Sequence, residues 1–223
     1  MRLLAAGFAT LLSIAAAGAQ NTPGAEQIKG TVESFAAPVL TVKTAKGDSL
    51  AVTLAPVAHI LANEKSDFAT LKVGDFIAST SAAGKDGRLL AQELRLFPEP
   101  LRGLGEGQYP TDNGSKSLTN AAVTQIAATP KTKGGTIKLS FHGSTPGPNG
   151  LCSGHAPSPG QGPCTGDTEI VVGPKTTFSS WVLGDQSWLE PGKAVSLFVL
   201  TEPDGKRVTY GVLVEHNGVK PLP

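Results

Sequence analysis

The chain repeats itself once, at an offset of 118 residues and without a gap. "SLAVTLAPVAHI" (49–60) lies over "DTEIVVGPKTTF" (167–178) and matches Pro56 to Pro174. "DFATLKVGDFIA" (67–78) lies over "DQSWLEPGKAVS" (185–196), matching Asp67 to Asp185, Leu71 to Leu189 and Gly74 to Gly192. "KDGRLLAQELRL" (85–96) lies over "PDGKRVTYGVLV" (203–214), where Leu90, Leu94 and Leu96 meet Val208, Val212 and Val214. The identities are few, but they fall on turn residues and on the apolar positions of an alternating pattern. Alternation at period two puts each set on one strand face, toward a core. The chain is thus expected to use one β unit twice.

With 27 glycines and 17 prolines and almost no helical periodicity, short strands divided by turns are expected. The two copies span roughly 26–97 and 119–223, joined by a connector at 98–118. In the first copy strands are expected near 28–35, 38–45, 48–54, 75–81 and 88–97. "KTAKGDS" (43–49) and "GKDGR" (84–88) carry the chemistry of hairpin turns. A longer crossing after the third strand ends in Leu-x-x-Gly, "LKVGD" or "LEPGK", whose leucine is placed at the barrel bottom. Five strands with one long crossing predict an all-β fold of two tandem small OB-like β-barrels from an internal duplication. An open sandwich shared by both copies is the alternative.

"MRLLAAGFATLLSIAAAGAQ" begins with one charge at Arg2, runs apolar to Ala17 and leaves through Ala17-Gly18-Ala19. That is the pattern of a secretory signal peptide over 1–19, cleaved after Ala19. It predicts a periplasmic or secreted protein, and no later stretch reaches the ~20 apolar residues of a membrane span. Without Arg2 the chain carries 18 basic and 18 acidic side chains. A neutral chain with 5% aromatic residues has neither the electrostatic footprint nor the stacking platform of a nucleic-acid binder.

The second copy holds an insertion of about 20 residues, "GSTPGPNGLCSGHAPSPGQGPCTGD" (143–167), expected to lack regular structure. It contains the chain's two cysteines, Cys152 and Cys164, which in an exported protein read as a disulfide. A zinc site from His142, Cys152, His155 and Cys164 is the sharper reading, though the spacing fits no common zinc pattern. A variant keeps the disulfide and uses His142, His155 and Asp167 for zinc or copper. A stapled loop on a rigid barrel also suits recognition without metal.

The connector contains "LRGLGEGQYP" (101–110). Its G-x-G-x-G spacing fits neither the dinucleotide nor the P-loop pattern, and no helix start follows it. Arg102 and Glu106 are near enough to pair, and the leucines can pin the segment as an ordered strap. Arg102, Glu106, Tyr109 and His155 are the ligand-binding candidates. For catalysis the chain offers no G-x-S-x-G elbow and no carboxylate pair whose placement can be argued. No catalytic residue is assigned.

"GTVESF…LTVKTAKGDSLAVTL…DFATLKVGDFIA…DGRLLAQELRL" resembles a small β-barrel domain family of unknown function, common in exported bacterial proteins. Gly30, Val32, Leu40, Val42, Leu71, Gly74 and Asp75 carry its G-x-V, L-T-V and L-x-x-G-D pattern, and Lys193 departs from it in the second copy. Two-module relatives are sometimes labelled metal transporter permeases. The resemblance implies fold and export but no chemistry. The expected function is an exported, non-catalytic binding or structural protein of the bacterial envelope, acting on a small ligand or an envelope partner. A periplasmic metal-binding protein using the Cys/His loop and a hydrolase are the alternatives.

Overall fold

A computed structural model describes residues 25–129 and 133–221, so the expected signal peptide at 1–19 lies outside the described residues. The described chain is all-β, with strands joined by turns and single 3-10 turns. Its first closed ring begins with β1 (Ala25–Ala36), β2 (Val39–Thr44) and β3 (Ser49–Lys65), each antiparallel to the last. The next two strands in sequence, β4 (Phe76–Ala83) and β5 (Leu89–Leu96), do not complete it. The connector then supplies β6 (Gly107–Thr111), and the second copy begins with β7 (Lys116–Ala128) and β8 (Gly135–Gly143). The insertion is not structureless, for it holds β9 (Thr145–Pro146) and β10 (Cys152–His155), which pair with each other. β11 (Cys164–Val172), β12 (Thr177–Gly184), β13 (Ala194–Thr201) and β14 (Arg207–Val214) complete the chain.

The rings close across the two copies. β3 pairs in parallel with β14, β14 with β13, and β13 with β1, closing a five-stranded barrel. β7, β8 and β11 run antiparallel in turn, β11 pairs in parallel with β5, β5 with β4, and β4 with β7. Both rings thus have the same strand order with one parallel pair. Each takes three strands from one copy and two from the other. The boundaries 26–97 and 119–223 describe the repeat in sequence, whereas each barrel draws on both segments. Closure leaves neither ring a free sheet edge.

Packing follows the same exchange. The first core gathers Val32, Leu40, Val42, Leu197 and Val212, and the second Ile77, Leu94, Ile137, Leu139 and Ile170. Leu189 of the second copy's crossing lies in the first core, and Leu71 of the first copy's crossing lies in the second. The glycines of the Leu-x-x-Gly turns are tied the same way. Gly74 N–H donates to Val123 O at 2.8 Å, and Gly192 N–H donates to Val32 O at 2.8 Å. In both cases the acceptor is the residue where the partner strand bulges.

β3 is longer than the sequence pattern predicts, running through Pro56 to Lys65. Pro56 lies where the pairing with β14 shifts register, a position that needs no ladder donor. Beyond it, β3 pairs antiparallel with β12, and β12 pairs in parallel with β5, joining the barrels by a central ladder. Asn63 faces Trp181 across this ladder, two residues that are 118 apart. An approximate two-fold axis therefore passes between them. A third apolar cluster packs on this saddle, with Leu61, Phe76, Phe97, Leu101, Leu118 and Trp181 among its buried residues. Phe97 stands edge-on to Phe76 and to Trp181, with centroids 5.5 and 4.9 Å apart. Trp181 thus joins the two barrels.

Candidate functional site

The connector is an ordered strap. Pro98 starts a 3-10 turn over Glu99–Leu101, and Leu101 is buried in the cluster between the barrels. β6 then pairs with β7 on one side and with β10 of the insertion on the other. The three glycines of the G-x-G-x-G run, Gly103, Gly105 and Gly107, all take positive φ. At Gly103 an added Cβ would lie 2.3 Å from Pro159 Cβ, and at Gly107 it would lie 2.1 Å from Gly154 O. Those positions need glycine because the strap lies directly against the insertion. The G-x-G-x-G spacing is a docking surface for the stapled loop.

Glu106 holds the two together. The residue is 7% exposed, and both carboxylate oxygens accept hydrogen bonds. Oε1 accepts from the backbone N–H and the Nδ1 of His142, each at 2.9 Å. Oε2 accepts from Gly160 N–H at 2.7 Å, and the Glu106 backbone carbonyl accepts from Ala156 N–H at 2.7 Å. Because a carboxylate only accepts, His142 presents its Nδ1–H to it. A buried carboxylate is tolerable only with such compensation.

Tyr109 and His155 stack with ring centroids 3.8 Å apart and planes tilted by 33°. Burial pushes the Tyr109 hydroxyl well above its ordinary value. Burial also lowers the His155 imidazole below its ordinary 6.5, opposed by a hydrogen bond with the Gly105 backbone. The loop itself is closed by the expected disulfide between Cys152 and Cys164, with Cα atoms 5.7 Å apart. Cys152 is buried beside Phe141 in the second barrel's core, which anchors the loop to the scaffold.

Glu106, Tyr109, His142 and His155 are therefore brought together, with the disulfide beside them. Arg102 is not part of this group. It pairs with Glu99 at 2.6 Å and donates to Gly74 O at 2.8 Å, so the expected Arg102–Glu106 pair is replaced by two others. The turn at Glu99–Leu101 explains the choice, since it sets Arg102 three residues after its acid on the same side. Asp167 is exposed on β11 opposite Ser140, whereas His142 lies opposite Thr165. Among the described residues no three His, Cys, Asp or Glu side chains are placed to hold a metal ion.

Gly160, Gly154 and Asn120 complete the arrangement and were not indicated by the sequence. Asn120 is fully buried, and its Nδ2 donates to Leu104 O at 3.3 Å, fixing the strap from below. No signal in a linear reading marks a backbone N–H such as that of Gly160 as the partner of a glutamate 54 residues away. A carboxylate on Nδ1 also orients catalytic imidazoles. Here, however, neither His142 nor Glu106 lines the clefts formed beside Trp181 or beside His59. Among the described residues no helix is long and apolar enough to cross a membrane. No family model, no curated protein and no solved structure matches the chain.

Proposed function

We propose that this is an exported, non-catalytic binding protein of the bacterial envelope, in which the stapled insertion is the recognition element. The observation that carries the reading is the buried Glu106 carboxylate, which ties strap and insertion into one unit. A loop so rich in glycine would otherwise lose much conformational entropy on binding. Holding it in one shape beforehand removes that cost, which is how preorganised loops gain affinity. The hairpin of β9 and β10 ends in exposed residues, with Leu151 65% exposed at its tip. One large apolar side chain on a rigid polar loop suits insertion into a pocket of a partner protein.

The leader pattern and the disulfide support export, since disulfides persist in oxidising compartments. The resemblance to exported small β-barrel domains agrees with the structural work done by Leu71 and Gly74, which seal and tie a barrel.

A photo-crosslinking residue placed at Leu151, with one at exposed Lys46 as control, tests the recognition reading in living cells. The expected result is a discrete adduct at 151, absent at 46 and lost in the Cys152→Ser, Cys164→Ser protein. Equal labelling at both positions would overturn it. Sequencing the N-terminus of protein released by osmotic shock tests export, with Gln20 expected as the first residue.

A further inference from the structure

A second site lies away from the strap-bound loop, on the saddle between the barrels. A cleft of about 250 Å³ opens there, with apolar walls from Leu61, Leu118 and Leu213. Its charged residues come in matched pairs. Arg95 donates through Nη2 to Glu93, and Lys116 Nζ lies 2.6 Å from Asp112. The lining also includes the neutral amide of Gln27 and the hydroxyls of Thr80 and Ser196.

Arg95 is the unusual member. It alternates along β5 with the core residues Leu94 and Leu96, so it points out of its barrel, yet it is only 9% exposed. The outward face of β5 here meets the central ladder, and the guanidinium lies 4.9 Å from the Trp181 ring centroid. Among the described residues its Nε–H has no acceptor, and neither does the Nε1–H of Trp181. Ser179, the register partner of Arg95, and Asn63, the partner of Trp181, also carry buried polar atoms without partners among the described residues. Such groups are destabilising when nothing in the protein satisfies them. Their concentration at one junction, in and beneath the wall of a cleft, calls for a functional explanation.

From this we infer that the cleft binds a neutral, hydroxyl-rich small molecule of monosaccharide size, with Arg95 and Glu93 as its polar grip. The charge pairing decides the ligand class. Both cations already face a carboxylate, so a charged ligand would be desolvated with no free counter-charge to receive it. A hydroxyl suits the Arg95–Glu93 pair because it accepts from a guanidinium N–H and donates to a carboxylate oxygen at once. The leucines suit the C–H face of a sugar ring. The volume is below the ~300–1,000 Å³ of drug-sized pockets. Binding draws the guanidinium toward the ligand and gives its Nε–H an acceptor.

The two copies differ at this site, which makes it one-sided despite the approximate two-fold axis. The positions equivalent to Arg95 and Glu93 in the other copy are Leu213 and Gly211, and Trp181 is matched by Asn63. One ligand per chain is therefore expected.

The test is a titration of the full mature chain, ¹⁵N-labelled, with D-glucose, with N-acetylglucosamine and with sodium benzoate as an anionic control. The Trp188→Phe background leaves the Trp181 indole as the single reporter of its kind. Saturable shifts of the Trp181 Nε1–H and Arg95 Nε–H signals with a sugar, at one site per chain, are expected. Arg95→Lys keeps the charge but loses the fork, and should weaken binding by about tenfold or more. Gln27→Ala, at the cleft wall, gives a second reading if Arg95→Lys fails to fold. No saturable shift with either sugar would overturn the inference. So would binding of benzoate alone, or sugar binding unchanged in Arg95→Lys or, where that variant does not fold, in Gln27→Ala. The crosslinking result at Leu151 is independent of each of these outcomes.

Discussion

Glu106 accepts the backbone N–H and the ring Nδ1 of His142 on a single carboxylate oxygen, both at 2.9 Å. Together with Gly160 N–H on the other oxygen, this makes the strap and the insertion one body. Glu106→Ala leaves those donors without an acceptor and should cost about 2–4 kcal/mol in urea unfolding. Glu106→Gln retains one acceptor oxygen and should cost less. Equal stability of Glu106→Ala and the parent would show that the loop is held by other means.

The disulfide closes a twelve-residue separation within the insertion. Replacing both cysteines with serine should lower stability by about 2–3 kcal/mol on loop-closure grounds. The loss should be local in part. Amide exchange at Gly160 and Ala156 should quicken more than exchange at Leu94 in the second core.

Two glycines with positive φ separate backbone strain from crowding. Gly47 (φ +90°) has open space where a Cβ would go, and Gly107 (φ +136°) has Gly154 O at 2.1 Å. Gly47→Ala should cost roughly 1–2 kcal/mol, the price of a left-handed alanine. Gly107→Ala should cost roughly 3 kcal/mol or more, because the obstacle is backbone and cannot rotate away. Thermal melts of the two variants would compare them directly.

Burial of His155 beside Tyr109 sets a pH dependence whose sign is fixed. The folded state holds the imidazole below its ordinary 6.5, so below that pH the unfolded chain binds more protons than the folded one. Stability from this group is complete above pH 6.5 and falls as pH drops from there toward the folded-state value. Urea midpoints at pH 7.5 and 5.5 should differ in that direction, and the difference should shrink in His155→Gln. An unchanged difference in His155→Gln would assign the effect elsewhere.

Much of this was legible from local pattern. Alternation placed Leu94 inward on β5, where it is buried, and compartment logic marked Cys152 and Cys164. Alternation also placed Leu90 inward, but β5 bulges between Ala91 and Glu93, so Leu89 and Ala91 pack on the core and Leu90 is exposed. The exchange of strands between copies was not legible, for a physical reason. An offset of 118 says that β5 and β14 are equivalent, but equivalent strands can close either ring with the same contacts. Arg95 was hidden by the same ambiguity. Alternation places it outside its barrel, where a charge is ordinary, and only the assembled molecule puts a second barrel there. The extension of β3 past Pro56 was missed because proline ends most ladders, whereas here it falls where the register shifts.

The exchange makes a prediction of its own. A chain ending at residue 97 has β1, β2 and β3 but lacks β13 and β14, so its first ring stays open. Residues 20–97 alone should be unfolded or self-associating by circular dichroism and sedimentation. Mixed with residues 98–223, they should recover the fold of the intact chain. Failure of the two fragments to recover the intact fold on mixing would refute the exchanged arrangement.

The axis between Asn63 and Trp181 carries a consequence for how asymmetry can arise. Were the two copies separate and identical chains, the residue at this position would face its own twin, and any change would occur twice. Arg95 would be accompanied by a second arginine in place of Leu213, and a bulky ring at 181 by a second ring at 63. Covalent joining releases that constraint, because each position on the axis can then vary alone. A single polar grip beside a single indole is open to a tandem chain and closed to a symmetric pair.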